Sequence, residues 1–257
     1  MSQAETAEQR YADFYPHQAA SVTLRRIYQQ VYGDDYPDEL EPFGFVTRTD
    51  LARLSEVLSL RSGQLLVDVG CGRGGPGIAV AKAAGARLIG LDVVDSALAG
   101  AAAAARRLGL AGAEFRRASF TTTGLDAASC DAVMSVDVLW MVWNKQAAIA
   151  EIARVLRPGG RFAFTTWEPG YVDHARILTR AGFVVDVREE TAGWLHRQRS
   201  VYASILRHRE QLEQELGAGA EVIIAEARDT PATLADTPRM LFVATLPGRP
   251  PVGGGPR

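Results

Sequence analysis

The sequence predicts a doubly wound α/β fold on a mostly parallel sheet, and three observations carry that expectation. An apolar run, Leu65-Leu66-Val67-Asp68-Val69, feeds directly into the glycine loop Gly70-Cys71-Gly72-Arg73-Gly74-Gly75, with Pro76 suited to the first turn of a following helix. A second apolar run, residues 87–91, ends in the acid Asp92. Beyond it, strand-like and helix-like patterns keep alternating, which favours parallel strands joined by helical crossovers.

Residues 1–60 read as an N-terminal helical cap: helical patterns over 7–60 are broken by Gly33, Pro37 and Pro42 and include Tyr11, Phe14, Tyr15, Tyr28, Tyr32, Tyr36, Phe43 and Phe45. The α/β core is expected over residues 61–192. Within it Asp95-Ser96 is placed to cap a helix over 97–108, whose run of alanines favours that state. Further strands are expected at 114–118, 131–136, 161–166 and 183–189, with helices near 145–156 and 172–181. Residues 193–237 are too long for a structureless loop and carry helical patterns over 195–216 and 218–228, so they read as a helical lid inserted before the last strand. Residues 238–247 hold that strand, and 248–257, rich in proline and glycine, read as a flexible tail.

A chain of 257 residues with 47% hydrophobic content can bury a substantial core. Its 28 Lys and Arg against 30 Asp and Glu give a net charge of -2, which argues against a nucleic-acid partner. Cys71 and Cys130 stand without a Cys/His cluster and read as packing residues, so no metal is expected. The amino terminus lacks a basic segment followed by an apolar core, and no apolar run is long enough for a bilayer. A cytoplasmic monomer or homodimer with a small-molecule partner and no membrane contact is the expectation.

Asp68 lies two residues before Gly70, where a carboxylate meets an amino group and repels a pyrophosphate. Asp92, at the end of the second strand, is placed to accept hydrogen bonds from ribose hydroxyls, so the ligand contains a nucleoside. Gly70, Gly72 and Gly75 also satisfy the dinucleotide fingerprint, which keeps an NAD-dependent oxidoreductase as an alternative, although a hydride-transfer constellation is not evident.

The segment Asp68-Val69-Gly70-Cys71-Gly72-Arg73-Gly74 resembles the first motif of the class I S-adenosylmethionine-dependent methyltransferases. Asp92 is similar to the acidic end of their second strand, and Asp131-Ala132-Val133-Met134-Ser135-Val136-Asp137 to a fourth-strand motif. Glu151-Ile152-Ala153-Arg154-Val155-Leu156-Arg157-Pro158-Gly159-Gly160 follows in the required order, so the resemblance spans about residues 62–167. It implies a Rossmann-like, seven-stranded sheet whose last pair is antiparallel, with S-adenosyl-L-methionine as cofactor. The methyl group would pass directly to N, O or C of a small acceptor, as in the natural-product branch of specialised metabolism. It further implies Asp68, Gly70, Cys71 and Gly72 around the amino-acid end of the cofactor, Asp92 at the ribose, Ser119 and Phe120 at the adenine, and Ser135 along the methionine portion. Ser119 departs from the acid that relatives often carry there.

Asp137 is a candidate to orient an acceptor or to cap the next helix. Many small-molecule relatives place a histidine a few residues later, where this chain reads Val138-Leu139-Trp140-Met141-Val142-Trp143. Trp140 and Trp143 cannot take a proton and are expected to build an aromatic wall that favours flat or cationic acceptors. Tyr11, Phe14 and Tyr15 are candidates to close over the pocket, or simply to pack on the sheet. His17 and His196 remain as bases that can enter a pocket, while His174 and His208 lack diagnostic spacing. The missing histidine leaves a second reading open: a protein that binds S-adenosylmethionine and templates a cyclisation, or binds a partner, without giving up the methyl group.

Overall fold

The computed structural model describes residues 11–41 and 44–248, so Phe43 and nearly all of the expected tail lie outside the described residues. Strands β1 Leu65–Val69, β2 Arg87–Asp92, β3 Glu114–Arg117, β4 Cys130–Val136, β5 Leu156–Trp167, β6 Val184–Glu190 and β7 Arg239–Thr245 form one sheet in the order β3-β2-β1-β4-β5-β7-β6. β1 to β5 run parallel, and β7 is antiparallel to both β5 and β6. The chain leaves β3 at one edge and returns as β4 beside β1, so the carboxyl ends of β1 and β4 open a crevice where the winding reverses. Val67 of β1 pairs with Ile89 on one side and Val133 on the other, and every residue of the strand is buried. That double burial accounts for its nearly continuous apolar sequence.

After a single helical turn, Tyr15–Gln18, the longer α-helices are α1 Val22–Tyr32, α2 Arg48–Leu58, α3 Gly75–Ala84, α4 Asp95–Arg107, α5 Lys145–Val155, α6 His174–Arg180, α7 Trp194–Arg207, α8 Arg209–Leu216 and α9 Ala220–Asp229. Among the described residues no helix is long and apolar enough to cross a membrane. One face of the sheet packs against Ile149 and Ile152 of α5 and Leu178 of α6. The other face meets Leu54 of α2, Ile78 of α3 and Ala104 of α4.

Three local expectations change. The helix after β2 is not capped by Asp95-Ser96: Val94 holds the cap position without a side-chain bond, and Asp95 lies inside the first turn, where its charge complements the helix amino terminus. β5 begins at Leu156, paired with Cys130, and the register then shifts across Arg157-Pro158-Gly159-Gly160 until Arg161 pairs with Ala132. The long helix expected over 195–216 breaks at His208 into α7 and α8.

The leader and the insertion, expected as separate cap and lid, share one apolar layer. Leu24 and Ile27 of α1 pack with Val201 and Ile205 of α7 and Ile223 of α9. Glu215 of α8 clasps the start of α1, accepting from Ser21 Oγ at 2.5 Å, Thr23 Oγ1 at 2.6 Å and Thr23 N at 3.0 Å. A carboxylate there meets the unpaired amide groups and positive end of α1. Gly219, just before α9, is required by the same closeness: a Cβ there would lie 2.7 Å from the Phe14 Cα.

Candidate functional site

The crevice between β1 and β4 opens into a cavity of about 690 Å³, bounded by the β1–α3 loop and the end of β2 on one side. The leader, the turn after β4 and the end of β5 bound the other side. In the first half, Asp68 and Asp92 stand at adjacent strand ends, both buried. Burial first, and the neighbouring Asp92 charge second, push the Asp68 carboxyl up to about 7. Burial also raises Asp92, partly offset by the amides it accepts from: Gly72 N to Oδ2 at 2.8 Å and Val94 N to Oδ1 at 3.0 Å.

These bonds alter what the glycine loop can offer. Gly70 N and Cys71 N both donate to Leu91 O, at 2.7 and 3.0 Å, and Gly74 N donates to Cys71 O at 2.8 Å. With Gly72 N held by Asp92, four loop amides are engaged within the fold, so this stretch presents carboxylates and carbonyls in place of an N–H cradle for phosphate. Gly70 has φ +73 and sits so close to the turn after β4 that a Cβ would fall 2.6 Å from Val138 Cγ1. Tyr15 reaches over the loop, its Oη 3.1 Å from where a Cβ on Gly72 would stand. Burial, then the Asp92 charge, raises the Tyr15 phenol, so it stays protonated. Ser119 and Phe120 line the same half of the cavity, joined by Arg73, which forms a 3.7 Å ion pair with Glu41.

Asp137 follows β4 with φ +59, an uncommon value for a residue with a side chain. Its carboxylate neither caps a helix nor waits for an acceptor. Arg239, fully buried on β7, donates Nε to Oδ1 at 2.9 Å and Nη2 to Oδ2 at 3.1 Å, and Thr165 Oγ1 donates to Oδ1 at 2.8 Å. Arg239 also reaches Asp50 Oδ2 at 3.0 Å, in the capping box of α2. Both carboxylate oxygens are thus engaged within the fold, so the catalytic place expected for Asp137, orienting an acceptor, gives way to a structural one. The residue instead sets a turn: Trp140 Nε1 donates to Asp137 O at 3.0 Å, and Lys145 Nζ donates to Trp140 O and Val142 O at 3.2 and 2.7 Å.

The second half of the cavity is aromatic. Trp140 and Trp167 meet edge to face at 6.0 Å, and Phe45 meets Trp167 in the same way at 5.6 Å. Tyr11 joins this wall and donates to Met141 Sδ at 3.9 Å. Trp143 lines the mouth with 84% of its surface exposed, so it forms a rim where a wall was expected.

Four other candidates lie elsewhere. Phe14 is wholly buried in the leader's apolar layer, edge-on to Tyr11 and Tyr15, and does not line the cavity. Ser135 is wholly buried within β4, one residue short of the strand end, and does not line the cavity. His17 and His196 are exposed on outer helix faces, away from the cavity wall. Sequence reasoning missed Trp167, whose position at the carboxyl end of a core strand was a usable signal, and Phe45, named only as part of the aromatic leader. It also missed Glu226 and Arg239, which nothing local marks as close to the site.

Residues 67–164 match the family described as Methyltransferase domain. The chain is 30% identical over 171 residues to a sterol 24-C-methyltransferase of Eremothecium gossypii, covering 64% of this chain and 46% of that protein. It thus spans less than half the length of that curated relative. In three dimensions it is similar to the [4+2]-cyclase SpnF, with TM-score 0.73 and 21% identity over 95% of this chain and 96% of that one. Phosphoethanolamine N-methyltransferase 2 of Haemonchus contortus, solved in complex with S-adenosyl-L-methionine, superposes with TM-score 0.73 and 18% identity over 97% and 60% of the two chains.

Proposed function

We propose that this chain, a class I S-adenosylmethionine-dependent methyltransferase by domain and fold, transfers a methyl group from that cofactor directly to a small-molecule acceptor. The observation that carries the reading is the single cavity running from the Asp68 and Asp92 strand ends to the aromatic wall of Phe45, Trp140 and Trp167. A sulfonium cofactor lying against the first half would present its methyl group to an acceptor lying against the second. In this reading Asp68 meets the cofactor's ammonium group, the Asp92 carboxylate turns its remaining lone pairs to the ribose, and Ser119 and Phe120 border the base. The engaged loop amides support a cationic ligand over a pyrophosphate, which counts against the nicotinamide alternative.

The cofactor supplies the electrophilic methyl carbon; the protein supplies alignment and exclusion of water. Among the described residues lining the cavity there is no histidine, and Asp137 is neutralised by Arg239. Tyr11, Tyr15, Trp140 and Trp167 therefore work by shaping the acceptor's approach. Likeness to methylating relatives named for sterol substrates supports an acceptor with a large apolar body.

Calorimetry with S-adenosylhomocysteine, followed by a mass-resolved screen of apolar acceptors with S-adenosylmethionine, tests the reading. Micromolar binding and a product heavier by one CH2 are expected; binding of NAD with no affinity for either sulfur nucleoside would reject it. The missing histidine also favours examining a non-methylating cyclase. An isomeric product formed without cofactor consumption would establish that second reading.

A further inference from the structure

We propose that Gln198 is a positioning residue for the acceptor, bracing the Trp167 indole so that the aromatic half of the cavity selects a flat ring system over an open chain of similar size. Gln198 lies on α7, in the insertion, and is 2% exposed. Its carboxamide bridges two rings: Trp167 Nε1 donates to Oε1 at 3.0 Å, and Nε2 donates to Tyr202 Oη at 2.8 Å. The polarity of this bridge has one solution. An indole N–H can only donate, so the amide oxygen faces Trp167 and the amide nitrogen is left for the tyrosine. A planar carboxamide thus supplies both an acceptor and a donor without bringing a charge into a site shielded from water.

The backbone beneath Trp167 is fixed separately. The next residue, Glu168, donates its N to Pro238 O at 2.9 Å, and its carboxylate accepts from His174 N at 3.1 Å and Arg188 Nη2 at 2.7 Å. With the end of β5 anchored, the side-chain torsions of Trp167 are what remains to be set, and the Gln198 bond restrains them. Those torsions decide the shape of the wall. Phe45 and Trp140 meet Trp167 at interplanar angles of 87° and 85°, so a turned indole would lose both edge-to-face contacts. The other end of the bridge supports the same wall, since Tyr202 meets Phe45 edge to face at 5.7 Å.

Recognition then rests on ring surface. Trp140 Nε1 is bonded to Asp137 O and Trp167 Nε1 to Gln198, so both indole N–H groups are engaged within the fold. A flat ring lying there gains offset or edge contacts, and it is spared the loss of rotamer freedom that an alkyl chain suffers on binding.

The assignment rests on the methyl-transfer reading, since it gives the second half of that cavity to the acceptor. It is tested on the full chain saturated with S-adenosylhomocysteine, whose own affinity is measured first by calorimetry. Naphthaleneethanol, a flat probe, is then compared with decanol, an open-chain alcohol of similar size. The wild type is expected to bind the flat probe about fivefold more tightly. Gln198→Met keeps an unbranched side chain without the amide and should bring that ratio to within about twofold of one, with S-adenosylhomocysteine affinity unchanged. A nitrogen–proton correlation spectrum reads the bond itself: the Trp167 indole signal, identified by its loss in Trp167→Phe, should move upfield in Gln198→Met. Tyr202→Phe is the milder change, keeping the ring against Phe45 while freeing one end of the carboxamide; it should broaden that signal and lower the flat-probe preference by about half. A wild type that does not prefer the flat probe, a folded Gln198→Met that keeps the preference or the indole position, or a Tyr202→Phe that matches the wild type in both readouts would each overturn the proposal. Absence of S-adenosylhomocysteine binding in the wild type would instead overturn the cofactor reading, so the two failures are distinguishable.

Discussion

Asp68 keeps a carboxyl group where water cannot solvate its charge, and that placement makes the chain's behaviour depend on pH. Its folded pKa is raised from 3.8 to about 7 by burial, so the folded state holds a proton that the unfolded chain releases. The associated stability is fully present below pH 3.8 and is lost as pH rises through about 7, on the order of 4 kcal/mol at most. A cationic cofactor works in the other direction by favouring the ionised form. Affinity for S-adenosylmethionine is therefore expected to rise with pH by up to about tenfold per unit and to flatten above about pH 7, with Asp68→Asn removing the slope. Calorimetry across pH 5 to 9 in buffers of different ionisation enthalpy checks both the slope and the proton release. Asp92→Ala carries a different expectation, because its carboxylate holds Gly72 N and Val94 N without any ligand. It should lower the melting free energy by about 1–3 kcal/mol as well as weaken binding, and a variant losing affinity at unchanged stability would contradict the loop-holding role. Both acids were legible in the sequence as strand-end carboxylates, since strand ends and glycine loops are local patterns. The second duty of Asp92, holding the loop, was not, because it depends on backbone atoms brought together across the turn.

At the scale of elements, the turn after β4 is where four pieces of chain meet: β1 through Gly70, β5 through Thr165, α2 through Asp50 and β7 through Arg239. Arg239→Met leaves two carboxylates facing a buried space without their countercharge and is expected to cost about 3–5 kcal/mol, read from urea melts. The paired change Arg239→Met with Asp137→Asn should recover part of that loss in a double-mutant cycle. Gly70→Ala is expected to displace Val138 and lower cofactor affinity, because its positive φ and the 2.6 Å approach both exclude a methyl group. Most strands were readable to within a residue or two, because apolar runs bounded by turn residues recur along the core. The early start of β5 was not, since Arg157-Pro158-Gly159-Gly160 carries the residues of a turn while the strand continues past it. Nor does any local signal link a lone arginine at the start of β7 to an aspartate 102 residues earlier.

Across the whole molecule, the leader and the insertion behave as one layer laid over the crevice, clasped by Glu215 at the start of α1. Binding that orders one half should order the other. Hydrogen exchange on adding S-adenosylhomocysteine is expected to slow in α1 and in α7 to α9 together, and Glu215→Gln should uncouple them while costing about 1–2 kcal/mol. Slowing confined to one of the two segments would refute the shared layer. The aromatic leader and the helical insertion were each visible in sequence, yet their contact spans the full core and leaves no periodic trace. The sheet order adds a constraint of another kind. β7 fills the slot between β5 and β6, although both are synthesised before it. On a ribosome, the β5 edge therefore stays unpaired, and Asp50 and Asp137 stay without Arg239, until residue 245 has cleared the exit tunnel. An exposed central edge of this sort invites pairing with other chains, so the nascent protein should engage holding chaperones during that interval. Cofactor capture would then follow the arrival of the last strand, long after the glycine loop itself has emerged.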